Sequence, residues 1–266
     1  MRSEQDALGE RRIPADDLKG IHTYRALDNF PISFAGPFPE LIHALFQVKL
    51  ACLNTNRALG YLERTVADAC RTAIEAGLAG ELDPSFPISM YQGGAGTSLN
   101  MNINEVIANR ALLEMGHTCG DYVHVHPLLH VNLHQSTNDV VPTAGRVAAI
   151  ALVKRLEQAV LHLQESLQAQ ETAFEGYVKP GRTQCQDAVP VTLGREFSAY
   201  ASAVARDRWR IYKIVERLRE VNLGGTAVGT GMLAPRQYIF KVVDELKRIT
   251  GFPLARAENL VDATQN

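Results

Sequence analysis

The chain has 266 residues, 46% of them hydrophobic, which is ample for a large core in one domain or two. Its 27 basic and 29 acidic residues leave a net charge of −2 and no basic stripe with interleaved aromatics, so neither nucleic acid nor a membrane surface is expected as a partner. Four cysteines (Cys52, Cys70, Cys119, Cys185) lack the spacing of a metal or redox pair and are too few for a disulfide scaffold; they read as reduced thiols of a cytoplasmic protein. The N-terminal stretch is charged throughout, without the apolar core of a secretory signal, and no segment is apolar enough to cross a bilayer.

Residues 1–37, rich in charge, Gly and Pro, show no sustained period and are expected to be mostly irregular; His22 among them is either a site residue or a surface histidine. Apolar residues at helical spacing predict a helix from Pro39 to about Tyr61, with Pro39 in the first turn. A second is predicted from Glu63 to Ala76, ended by Gly77. Asp83-Pro84 and Phe86-Pro87 then break the chain. The stretch from Tyr91 to Ala111 begins with Gly93, Gly94 and Gly96 and continues through Thr97, Ser98, Asn100, Asn102 and Asn104 into a helix predicted from Asn104 to Met115. Glycines admit positive φ and the close approach of a ligand, and hydroxyls just after them can donate to an anion.

A second polar word runs from His126 to Asp139. His126, His130 and His134 are four apart, but Pro127 and the lack of an acidic partner argue against a metal site. Ser136, Thr137 and Asn138 suit the start of a helix, whose first N–H groups have no internal partner and can also receive an anion; Pro142 fits the first turn. That helix is predicted to run to about Glu171, a rod of roughly 50 Å at ~1.5 Å per residue. The third word, Gly181 to Pro190, precedes a second long helix predicted to start at Pro190 and end near Val221. A glycine-rich loop follows from Gly224 to Gly231, without the ending of a phosphate loop or a preceding strand, so it is not a nucleotide site. The last helix is predicted from Pro235 to Thr250, broken by Gly251-Phe252-Pro253.

The run Asn100-Met101-Asn102-Ile103-Asn104-Glu105-Val106-Ile107-Ala108-Asn109-Arg110-Ala111 after a glycine loop and Thr97 resembles the signature of the aspartase/fumarase superfamily. The words at His126–Asp139, Gly181–Pro190 and Gly224–Gly231 resemble that superfamily in the same order, and Gly20–Ala26 with Asn29-Phe30-Pro31 resembles the opening of aspartases in particular. The resemblance implies an all-α fold: a small N-terminal helical domain, residues 1–137, followed by the first long helices of a central helical bundle, residues 138–266, that assembles as a homotetramer. It implies reversible β-elimination from a small dicarboxylate or amino-acid substrate, with Thr97, Ser136, Thr137, Asn138, Thr183 and Gln184 binding substrate. It implies no metal ligand and no organic cofactor, and activation by a divalent cation is compatible with it.

Gln135-Ser136-Thr137-Asn138-Asp139, Gly181-Arg182-Thr183-Gln184 and His126-Pro127-Leu128-Leu129 each depart from the fumarase pattern. The reading therefore leans to an aspartate ammonia-lyase, with fumarate hydratase as the alternative. The family's mobile loop, which carries the serine base, has no counterpart among these words. No catalytic base is therefore expected in the chain, which reads as the N-terminal part of a lyase; a non-catalytic or split-enzyme partner is the alternative of another class.

Overall fold

The computed structural model describes residues 1–33 and 35–266. It is mostly helical, as the resemblance implies, and its strands pair only as two-stranded ribbons. The residues form two compact units, one of residues 1–148 and 219–266 and the other of residues 149–218. These units are cut differently from the expected boundary at 137/138, because residues 219–266 fold back onto the N-terminal part.

The first unit opens with a hairpin, β1 (Arg2–Asp6) and β2 (Gly9–Ile13), where an irregular segment was expected. Its strands are almost wholly polar, so no period-2 signal exists in the sequence. The Arg2 guanidinium instead fixes the segment that follows, donating to the carbonyls of Pro14, Ala15, Asp17 and Lys19 at 2.7–3.0 Å. Helix α1 (Ile21–Asn29) has no side-chain cap of its own. Distant carboxylates do that work: Glu105 accepts from Gly20, His22 and Thr23 N–H and from the Thr23 hydroxyl, and Glu4 accepts from Ile21 N–H.

Helix α2 (Pro39–Ala58) has Pro39 in its first turn as predicted and packs against α3 (Arg64–Leu78). Gly77 does not end α3 but lies inside it, under the Phe46 ring, where a Cβ would come within 2.2 Å of that ring. The turn out of α3 is made instead at Gly80, φ +84°.

Helix α4 (Thr97–Glu114) starts seven residues earlier than predicted. It is enclosed on nearly all sides, so it shows no amphipathic period, and its buried asparagines tie the surrounding loops. Asn102 donates to the Ser85 carbonyl, while Asn109 donates to that of Leu18 and accepts from Gly120 N–H.

Helix α5 (Thr137–Ala173) is the long rod. Ser136 and Asp139 form a reciprocal cap at its start: the Ser136 hydroxyl accepts from Asn138 N–H, and the Asp139 carboxylate accepts from Ser136 N–H. Pro142 is the sixth helical residue rather than part of the first turn, so the Asn138 carbonyl loses its intrahelical donor. The buried Asn222 amide supplies one at 2.9 Å, while also donating to Thr264 and accepting from Thr143.

Asn222→Ala is accordingly expected to cost about 2 kcal/mol in urea unfolding, because it orphans a helix carbonyl. Adding Pro142→Ala, which restores the backbone donor, should recover part of that loss; no recovery would break this account.

Residues 219–266 complete the unit. Short strands β5 (Glu220–Val221) and β6 (Ala255–Arg256) pair in parallel, and α7 (Arg236–Thr250) packs on α2. The helix α8 (Leu260–Gln265), not anticipated, is capped by the Asn259 side chain.

In the second unit, β3 (Val178–Thr183) and β4 (Gln186–Thr192) form a hairpin where only a connecting word was read. Its two-residue turn, Gln184-Cys185, has φ of 51° and 63°, the backbone that matches strand twist. Pro190 is in β4 and not at a helix start; α6 (Leu193–Leu218) begins after Thr192, whose hydroxyl accepts from Arg195 N–H. Phe174 stacks on Phe197 at 5.6 Å. Leu152, Leu156 and Leu163 of α5 and Trp209, Tyr212 and Ile214 of α6 remain exposed.

Candidate functional site

The glycine turn before α4 and the start of α5 are packed together. Gly96, at φ +87°, approaches Val141 so closely that a Cβ would lie 2.9 Å from its Cγ1. Asn100, buried in α4, donates to the Thr137 hydroxyl at 3.1 Å. The N-terminal ends of two helices thus meet, with Thr97 on one and Ser136, Thr137 and Asn138 on the other. Thr97 and Asn138 are exposed and Ser136 and Thr137 half-buried, and the Thr97 hydroxyl donates to the Gly94 carbonyl at 2.6 Å, so two positive helix ends meet beside uncharged side chains. Such an arrangement suits an anion.

Beneath these donors is a buried polar network that the sequence reading did not identify. The Lys49 ammonium, 1% exposed, donates to Asn132 Oδ1 and Gln135 Oε1, each at 2.9 Å. Asn132 in turn accepts from Asn100. Gln135 adjoins Ser136, so a lysine on α2 fixes the segment that carries the donors. Burial pushes Lys49 down to about 7, and Asp139 opposes that by attraction. A signal was present: Lys49 shares a helical face with Leu45, Phe46, Cys52 and Leu53, where a solvated lysine does not belong.

Asp139, fully buried, is the second such residue. Its Oδ1 accepts from Ser136 N–H, and its Oδ2 accepts from Gly224 and Thr226 N–H at 3.1 and 3.0 Å. Burial raises it to about 6 against the pull of these donors. The loop from Gly224 to Gly231 is thereby fastened to the start of α5, and the Asn138 amide donates to the Ala227 carbonyl at 2.7 Å.

Thr183 and Gln184 are exposed at the hairpin tip of the second unit. His22 is exposed on α1. Ring nitrogens of the spaced histidines are engaged by protein groups. His126 Nδ1 accepts from Leu128 and Leu129 N–H and caps the π-helical turn Pro127–Val131; His130 Nδ1 accepts from His126 N–H; His134 Nδ1 pairs with Asn56 Oδ1. Burial lowers all three histidines from their ordinary value.

Comparison with known proteins gives one consistent match. The lyase family matches residues 9–266. An aspartate ammonia-lyase of Bacillus subtilis is 46% identical over 265 residues, covering 100% of this chain and 56% of that protein. A class II fumarate hydratase of Halobacterium salinarum is 44% identical over 263 residues, covering 98% of this chain and 56% of that one. A crystal structure of a Brucella melitensis fumarate lyase:delta crystallin bound to cobalt superposes with a TM-score of 0.97 at 44% identity, covering 99% of this chain and 58% of that chain. The chain therefore spans little more than half the length of these relatives.

Proposed function

Because this chain belongs to the lyase family, within the aspartase/fumarase superfamily, we propose that the whole protein is an aspartate ammonia-lyase that eliminates ammonia from L-aspartate to give fumarate. The observation that supports this reading is the meeting of the α4 and α5 starts, with Thr97, Ser136, Thr137 and Asn138 as the proposed substrate-binding residues. Removing the proton next to a carboxylate develops a second negative charge on that carboxylate's oxygens. Fixed hydroxyls, amides and helix ends stabilise it without the desolvation that a buried cation would require. Thr183 and Gln184, in the second unit, are proposed as substrate contacts on the resemblance of their word alone, and the proton acceptor is assigned to the part of the whole protein outside this chain.

Gln184 can hydrogen-bond but cannot carry a proton near neutral pH, which favours loss of ammonia over addition of water. A fumarate hydratase is the second reading, favoured by the class II relative at 44% identity. The exposed Leu152, Leu156, Leu163, Trp209, Tyr212 and Ile214 support assembly as a homotetramer that covers these faces. A cytoplasmic setting is proposed from the unpaired thiols, three of them buried; among the described residues no helix is long and apolar enough to cross a membrane.

The test is a direct assay of the whole protein, following the ultraviolet absorbance of fumarate formed from aspartate and, separately, from malate. Fumarate from aspartate is expected. Fumarate from malate alone would overturn the ammonia-lyase reading in favour of the hydratase, and none from either would favour a non-catalytic chain or a split-enzyme partner.

A further inference from the structure

The turn that follows α4 gathers three side chains that the elimination site does not use. His117 Nδ1 and His124 Nε2 lie 3.6 and 3.7 Å from the same oxygen of Asp121. One ligating atom from each of the three residues falls within 4.8 Å of the other two. We propose that His117, Asp121 and His124 form a site for a divalent transition cation of the zinc or cobalt type, held by two imidazole nitrogens and one carboxylate, with water completing its shell.

The spacing carries the assignment. Bonds of ~2.0–2.1 Å to a tetrahedral ion set its ligand atoms about 3.3 Å apart, so the carboxylate oxygen is within a few tenths of an ångström of its place relative to both nitrogens. Both contacts are longer than a hydrogen bond. The imidazoles stack with centroids 3.9 Å apart and planes 13° from parallel, so binding requires one ring to turn, and His124 is the more exposed of the two. Two imidazoles and one carboxylate form a borderline donor set that suits zinc or cobalt better than calcium or magnesium.

The backbone is organised before any ion arrives. His117 N–H donates to Leu112 O, Asp121 N–H to Thr118 O and His124 N–H to Asp121 O, at 2.9, 3.2 and 3.1 Å. Gly120 N–H is held by Asn109 Oδ1 at 2.8 Å, and the Tyr122 hydroxyl is held by Asn109 and Glu4. The three side chains are 31–46% exposed, open enough for an ion and its waters. The proposed ligands are not the spaced His126, His130 and His134, whose Nδ1 atoms bond to other protein groups.

Chelator-treated protein titrated with Co(II) alone, followed by visible absorption and calorimetry, tests the site independently of the elimination reading. One equivalent is expected per chain, with the d–d bands of a low-coordinate ion. Asp121→Asn and the pair His117→Gln/His124→Gln should each weaken binding at least about tenfold, while His126→Gln/His130→Gln leaves it unchanged. Zn(II) should raise the melting temperature of the parent and not of the first two variants. Binding that survives all three substitutions, or no binding below millimolar Co(II), overturns the proposal. Because His117, Asp121 and His124 are partly exposed, circular dichroism matching the parent's is expected for the variants at these three positions and excludes misfolding as the cause.

Discussion

Asp139→Ala is expected to cost about 3–5 kcal/mol, a large part of the stability of an ordinary domain. The carboxylate accepts from Ser136, Gly224 and Thr226 N–H in a place closed to bulk solvent. Alanine leaves them buried and unpaired, and also removes the reciprocal cap of the longest helix. Asp139→Asn should cost less, because the amide oxygen still serves one side of the pair. Urea unfolding monitored by circular dichroism would measure both; a loss below about 1 kcal/mol for alanine would show that the loop and α5 are held by other contacts.

If the whole protein has the proposed ammonia-lyase activity, Lys49→Met is expected to lower its kcat/KM by about 10–100-fold, through a segment that the lysine touches and not through contact with substrate. Methionine fills a similar volume but leaves Gln135 Oε1 without its donor and Asn132 Oδ1 with only the longer bond from Asn100, which frees the residues just before Ser136, Thr137 and Asn138. Lys49 is thus a positioning residue. The linked pH effect separates this role from a loss of packing. Because burial lowers the Lys49 ammonium to about 7 from 10.5, the folded protein sheds a proton that the unfolded chain keeps. Its contribution to stability therefore grows from about pH 7 to 10.5 and is lost as pH falls through 7. The stability of the parent minus that of the variant should rise with pH across that window; a flat difference would mean that the lysine is not charged or buried as described.

Much of the helical frame was legible because apolar period and end signals coincide. Pro39 opens α2, and α5 starts at the Ser-Thr-Asn word. Where such signals were absent or belonged to other partners, the reading departed from the structure. The β1–β2 hairpin is polar on both faces and depends on the Arg2 clamp. The first half of α4 is rich in asparagine, which alone argues for a loop, yet the Asn100 and Asn102 amides bond to segments remote in sequence. Gly77 looked like a helix terminator but serves the close approach of Phe46. Pro190 looked like a helix start but pairs with Pro180 in a hairpin whose turn needs two left-handed residues that are not glycine.

The sequence by itself determined the family and the long helices, and it nominated the uncharged residues proposed to bind substrate, because each depends on local words and spacing along the chain. Only the tertiary structure decided that Lys49 and Asp139 hold those donors, that Asn222 repairs the gap left by Pro142, and that Asp121 lies between His117 and His124. These are contacts between groups brought together by burial or by a folded turn, where a missing partner is costly and direction matters, and no period in the sequence encodes them.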